Sequence, residues 1–384
     1  MYVIGTWISF FLNLNFTKPE RMVTMEKVMV YPFDGKFVSC LRYEHLLNQY
    51  EFCGVVSPSG WGLTGKDAGV IDGGPPLGII IQDNFEQMLK HCDTIFFVDT
   101  YSNVDYESLI YPKMIEAIKA GKNIVSMISS IPIDKENHIK IFNEIKTLDY
   151  NIEPGSQLSK IETPIIAVIG LSSNTNKFNI QLALRKEIQQ IGYRVSQIGT
   201  RHYCEIFGFH SFPQYIYKTP IPEVDKIKLF NKFIKDIENK ENPDVIILGI
   251  PGGIMPFNDQ LYFDFGILSF QIFQSIHVDA IVLSLFCEEI TKQYFDEINN
   301  LCKYRFGKIT DCFNLSHQTI DWMGMENKPP QIDTCTIQDS QVEQLKLKYK
   351  KFNMPVFDSI NPEDAHNMAD LLINKLQSYS YRRE

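Results

Sequence analysis

The sequence lacks every compact metal signature. Its eight cysteines (Cys40, Cys53, Cys92, Cys204, Cys287, Cys302, Cys312 and Cys335) nowhere form a C-x-x-C pair, and none of its eight histidines stands in H-E-x-x-H. Iron–sulfur and structural zinc sites need ligands at such spacings, so no metal site is expected. His202, Cys204 and His210 are the one local group of metal-type residues, and loop structure accounts for them. Positive charge is also scarce. Lys and Arg number 37 against 46 Asp and Glu, a net charge of −9, which argues against a protein that grips nucleic acid through the phosphate backbone. Long apolar runs are missing as well. Residues 2–12 are apolar, but a bilayer span takes about 20 residues. No basic stretch precedes them and no small-residue cleavage site follows, as a signal peptide requires. No membrane association is expected. Thiols scattered through apolar stretches suit a reducing cytoplasm. There is no internal repeat, heptad run or low-complexity tract.

What is present is alternation. A chain of 384 residues, 44% hydrophobic and 22% charged, has room for two or three globular domains. Residues 1–24 look like a non-native or disordered extension, with the working start at Met22 or Met25; a short interfacial anchor is the alternative. Residues 25–150 alternate apolar runs with helical periodicity. Strands are expected over 27–31, 52–56, 77–81, 94–99 and 123–127, with helices over 37–48, 84–91, 106–120 and 135–148. A polar linker carrying Pro154, Gly155 and Ser156 spans 151–163. Residues 164–384 resume the pattern. Strands are expected over 165–169, 193–198, 244–250, 280–286, 309–314 and 355–357, with helices over 178–191, 223–238, 261–276, 288–302, 341–351 and 362–376. Strand–helix alternation predicts an α/β protein with two doubly wound parallel sheets. The first is Rossmann-like and the second is built like a P-loop NTPase.

The second half opens on PIIAVIGLSSNTNKFNIQLALRKEI. An apolar strand stops at Gly170; the polar loop Ser172, Ser173, Asn174, Thr175, Asn176 follows; Lys177 stands at the mouth of a helix. The first amides of a helix have no partner within it, and the dipole favours an anion there. A lysine at the same end adds a full charge. The pattern departs from G-x-x-x-x-G-K-[ST] in three ways. The loop is one residue longer. Asn176 holds the second glycine's place, where its tolerance of positive φ makes it the mildest replacement. Phe178 and Asn179 stand where a Mg²⁺-binding hydroxyl would be sought.

Three other stretches bear on chemistry. The strand DVIILGIPGG carries its acid, Asp244, at the end away from the loop, so the metal-holding half of an NTPase site is missing; Asp259 and Asp264 lie downstream as replacements. Gly249, Gly252 and Gly253 let backbone come close to a ligand or serve a turn needing positive φ. After the next strand, TRHYCEIFGFH offers Arg201 and His210 as phosphate contacts or proton carriers. The glycine-rich stretch 60–74 carries Lys66, Asp67 and Trp61, and is expected either to make a binding or interdomain contact or to be a mobile loop.

The stretches VMVYPFDGKF, VVSPSGWGLTGKDAG, AVIGLSSNTNKFNIQLALRKEI, SQIGTR, FGFHSFP, VIILGIPGGIMPF and DCFNLSHQTIDW together resemble the clostridial peptide maturation system protein family, over about residues 26–376. The resemblance supports a start near Met25. It implies a place beside radical SAM maturases in clusters that make ribosomally synthesised peptide natural products, with the precursor peptide and the maturase as partners. It carries over no catalytic residue. More distantly, the second half is similar to P-loop domains of dethiobiotin-synthetase-like and N-acyltransferase-associated proteins with a Rossmann-like front domain. Gly170 and Lys177 match their G-T-x-x-x-x-G-K. Asn176, and Leu248 where an acid is expected, depart from it, which puts hydrolysis in doubt more than binding.

The expected function is an accessory protein of peptide maturation that binds ATP, GTP or another phosphate ligand, with Mg²⁺ left open, through Gly170, Ser172, Ser173, Asn174, Thr175, Asn176, Lys177, Gly252 and Gly253. Any catalysis would be phosphoryl or acyl chemistry. A non-catalytic scaffold for precursor peptide or maturase is the alternative. A nicotinamide oxidoreductase comes last, because the first turn, YPFDGKF, lacks the glycine fingerprint.

Overall fold

The computed structural model describes residues 25–47, 49–101, 104–128, 139–141, 157–217, 220–258, 262–322 and 332–380. The extension expected over 1–24 and the first part of the linker, 151–156, lie outside these residues. The first sheet has five parallel strands: β1 (Glu26–Tyr31), β2 (Tyr50–Val55), β3 (Thr94–Phe97), β4 (Asn123–Ser126) and β5 (Ile139–Ile141). Their order is β2-β1-β3-β4-β5, the doubly wound arrangement whose direction of winding reverses between β1 and β3. Valines, isoleucines and phenylalanines fill β1, β3 and β4, as expected of strands covered on both faces.

Several elements differ from expectation. The helix foreseen over 37–48 is broken into a 3-10 turn Gly35–Phe37, an α-turn Val38–Arg42 and a second 3-10 turn Glu44–Leu46. The break falls at Tyr43, whose backbone leaves the helical region (φ −115, ψ 33), and the Glu44 side chain accepts the Phe52 amide at 2.5 Å. The strand foreseen over 77–81 makes only isolated bridges, because the Asp67 carboxylate takes the amides of Gly69, Leu77 and Gly78. The helix foreseen over 135–148 falls mainly outside the described residues, and its described part, Ile139–Ile141, is strand β5 beside β4.

The second sheet contains β6 (Ile165–Gly170), β7 (Val195–Gly199), β8 (His210–Ser211), β9 (Val245–Gly249), β10 (Ala280–Leu285) and β11 (Cys312–Leu315). A small antiparallel hairpin, β12 (Gln318–Ile320) with β13 (Thr334–Thr336), stands apart, and β14 (Val356–Phe357) completes the sheet in the order β14-β11-β10-β6-β9-β7-β8. All six residues of β6 are buried, so its apolar run is that of a central parallel strand. The helix foreseen over 288–302 begins later, as Lys292–Phe306, since the Thr291 side chain caps it through the Tyr294 amide.

The helix after β6, Lys177–Gln190, is buried on nearly every side. Ile180, Leu184 and Ile188 pack on its own sheet with Val168, Val282, Met368 and Leu372. Phe178, Leu182 and Ala183 join the core of the first sheet with Val30, Phe37 and Phe96. This helix therefore packs one face into the core of each sheet and joins the two cores. At about 1.5–3 kcal/mol for each large apolar side chain buried, these contacts hold the halves together.

Candidate functional site

The loop between β6 and its helix turns on Asn176, whose backbone is left-handed (φ 54). This is the conformation in which Asn is the mildest substitute for glycine. Thr175 Oγ1 donates to the Ser172 carbonyl at 3.2 Å, and Ser284 Oγ donates to the Thr175 carbonyl. Among the described residues, the amides of 172–176 donate to no backbone carbonyl outside helix and strand. Gly170 is required by contact. A Cβ there would lie 2.4 Å from Thr175 Oγ1 and 3.3 Å from Lys177 Nζ.

Lys177 does not point into solvent. Its ammonium donates to the Ser172 carbonyl and, at 2.8 Å, to the carbonyl of Gly252. Gly252 has positive φ (78), so glycine serves the turn that presents this carbonyl. Burial first, and the charge of Arg201 second, lower the pKa of Lys177 to about 7.

Lys177 lines a cavity of about 320 Å³. Ser173, Asn174, Asn176 and Gly252 border it from the loops after β6 and β9, and Arg201 from the loop after β7. Gly35, Lys36, Thr100 and Tyr101 border it from the turns after β1 and β3. Both sheets thus bring the carboxyl ends of strands at their topological switch points to one cleft, where open α/β sheets bind ligands. Lys36 donates to the Thr100 carbonyl at 3.2 Å. Its pKa is lowered by burial and then by Arg201, against the opposing pull of Asp99 and Asp34. Arg201 Nε is buried without a hydrogen-bond partner, and the guanidinium lies 5.8 Å from the centre of the Phe178 ring. Among the described residues, none of Lys36, Lys177 and Arg201 forms an ion pair.

The other expected residues are placed differently. Ser172 and Thr175 shape the loop from inside. Gly253 accepts from Ser269 Oγ at 3.0 Å, and Gly249 makes room for the Gln181 side chain, which a Cβ would meet at 2.3 Å. His210 sits on the edge strand β8, 2.6 Å from Glu241, and does not line the cleft. His202 contacts the Met127 carbonyl at 2.6 Å, tying the second half to the first. Asp244 pairs with Arg194 at 2.9 Å at the far end of β9. Trp61 is half-buried, and Asp67 is occupied by backbone amides.

The residues that sequence reasoning missed are Lys36 and Tyr101. The D-G-K turn after the first strand carries the signal, but its glycine spacing hides it, and only the strand order places it at the cleft. His317 and Asp358 were missed too. They form a fully buried pair, 2.8 Å apart, and with the exposed Asp339 bring ligand-type atoms within 4.8 Å of one another.

The cations and open amides fit a phosphate-bearing group. The donor set fits Mg²⁺ poorly. Asn179 Oδ1 lacks a partner, but Asp72 is held by Arg42 at 2.5 Å, Asp259 lies outside the described residues, and Mg²⁺ asks for near-ideal octahedral oxygen.

The architecture defines an α/β protein of two parallel sheets, with a P-loop-like strand–loop–helix in the second. The chain is similar to the crystal structure of a DUF1611 family protein from Anabaena variabilis with a TM-score of 0.58 and 10% sequence identity, covering 91% of this chain and 99% of that one. The two-sheet fold is thus shared over nearly the full length. Over 56% of the chain there are matches to an apo GTPase from Pyrococcus abyssi (TM-score 0.32, 13% identity, 97% of that chain) and to cobyrinic acid a,c-diamide synthase from Mycobacterium smegmatis with bound ADP and magnesium (TM-score 0.34, 11% identity, 96% of that chain). No protein-family model and no curated protein matches the sequence. Among the described residues, no helix is long and apolar enough to cross a membrane.

Proposed function

We propose that this protein binds a nucleotide or another phosphate ligand in the cleft between its two sheets. The observation that carries this reading is the convergence of Lys36, Lys177 and Arg201, none in an ion pair among the described residues, on one cavity beside the amides of 172–176. Several cations close together in a partly desolvated site are costly, and a polyanion would offset that cost. Lys177 and the loop amides would hold phosphate, and Arg201 would hold charge further along the ligand. ATP and GTP are both compatible.

The wider setting rests on the stretches that resemble the clostridial peptide maturation family. On that reading the protein assists maturation of a ribosomally made peptide in the cytoplasm, with precursor peptide and radical SAM maturase as partners. All eight cysteines are free thiols, which agrees with a reducing compartment. One observation favours the scaffold alternative: Lys177 is satisfied by the carbonyls of Ser172 and Gly252, and the residue after it is a buried phenylalanine instead of a hydroxyl. This arrangement suits binding better than hydrolysis.

Thermal unfolding with and without ATP or GTP, each with and without Mg²⁺, tests the reading. Ligand at 100 times its dissociation constant adds about 2.7 kcal/mol. The expected result is a shift in the wild type that Lys177→Ala loses. Absence of a shift with every nucleotide leaves the scaffold.

A further inference from the structure

We propose that the cleft contains a second anion subsite, distinct from the loop around Lys177, in which Lys36 and Arg201 hold a compact carboxylate or phosphate group on an acceptor molecule. The proposal deepens the phosphate-binding reading but rests on separate features. The first is topological: the turns after β1 and β3 flank the switch point of the first sheet, a ligand position in its own right. The second is preorganisation. Asp34 takes the Lys36 amide on one oxygen at 2.8 Å and the Tyr101 amide on the other at 2.6 Å, clipping the two turns together across the switch point. Those bonds turn its oxygens to backbone, and Asp34 acts on Lys36 through its charge without an ion pair among the described residues. Asp99 is near enough to act on Lys36 through its charge, but makes no ion pair with it among the described residues.

The third feature is the partner from the other half. Arg201 comes from the loop after β7, borders the same cavity, and has its buried Nε unpartnered. A planar guanidinium without an ion pair among the described residues matches a carboxylate or phosphate. Lys36 and Arg201 thus converge from opposite sheets. Lys177 is turned to its own loop and to Gly252, which leaves two poles in one cleft: an amide-rich pole for phosphate and a side-chain pole for the acceptor.

Calorimetric titration of the full chain with sodium malonate and with inorganic phosphate, each alone and at saturating ATP, tests this. One equivalent of a probe is expected to bind in both conditions. Lys36→Met should weaken that binding about tenfold or more, as loss of a charged hydrogen bond does, while changing ATP affinity less than about threefold. Lys177→Ala should do the reverse. Lys36→Arg keeps the charge and should retain the probe, which separates lost charge from lost folding. Stronger binding of malonate assigns the subsite to carboxylates, and stronger binding of phosphate assigns it to phosphates. The proposal is overturned if neither probe binds at about 20 mM, if both are displaced by ATP, or if Lys36→Met weakens ATP and probe alike. Absence of ATP binding with Lys36-dependent malonate binding intact would instead refute the nucleotide reading alone.

Discussion

Replacing Lys177 by methionine removes a charge that folding has withdrawn from water while keeping much of the side-chain volume. The side chain is almost fully buried. Burial, then Arg201, bring its pKa from 10.5 to about 7. The sign follows from proton counting. Between about pH 7 and pH 10.5 the unfolded chain holds a proton that the folded one releases, so stability rises with pH across that window. Below about pH 7 both states are protonated and the full cost of the buried ammonium remains. At 1.36 kcal/mol per pH unit the ceiling is about 5 kcal/mol, and the part expected between pH 7 and pH 9 is about 2 kcal/mol. Methionine also strands the Ser172 and Gly252 carbonyls, at about 1–3 kcal/mol with no dependence on pH. Urea unfolding of both proteins in matched buffers from pH 6 to pH 9 measures the difference, in which other titrating groups cancel. The ligand-free wild type should gain about 2 kcal/mol on the variant between pH 7 and pH 9. Parallel curves, within about 0.5 kcal/mol, would show that the ammonium is not desolvated as described. An anion restores the favoured charge, so phosphate binding above about pH 7 should take up a proton, seen as a buffer-dependent binding enthalpy.

Gly170→Ala should displace Thr175 and Lys177, cost about 1–3 kcal/mol and abolish nucleotide-dependent stabilisation; calorimetry and thermal unfolding read both. Asn176→Ala should cost about 1–2 kcal/mol for left-handed backbone, whereas Asn176→Gly should be nearly neutral in the same assay. Burial opposes the charge on His317, but the hydrogen bond and charge of Asp358 outweigh it and raise its pKa. The stabilisation by this pair is therefore complete below about pH 6.5 and is lost as pH rises through the raised folded value. His317→Gln should flatten that loss and cost about 3–5 kcal/mol at low pH by leaving Asp358 without its buried partner, as denaturant unfolding at several pH values will report.

Much of the second half was legible in the chain order. The run IIAVIG could only be a fully covered strand, and Asn176 before Lys177 marked a left-handed residue at a helix mouth. The first half was less legible where side chains rewrite backbone preference. Tyr43 leaves the helical region and Asp67 draws amides away from a strand, so periodicity over 37–48 and 77–81 promised more regular structure than forms. His210 followed a strand, as site residues often do, but its strand is at the sheet edge, and pairing with Glu241 holds it away from the cleft.

Local pattern by itself determined the α/β class, the two sheets and the polar loop before a lysine-headed helix, because strand and helix periods and backbone tolerance are properties of neighbouring residues. Tertiary structure alone decided that Lys177 turns onto Gly252, that Lys36 and Arg201 border one cleft, and that His317 meets Asp358. Each of those meetings joins residues far apart in the chain or on different sheets. Strand order and the packing of one helix between two cores set them, and neither is written in any short stretch of sequence.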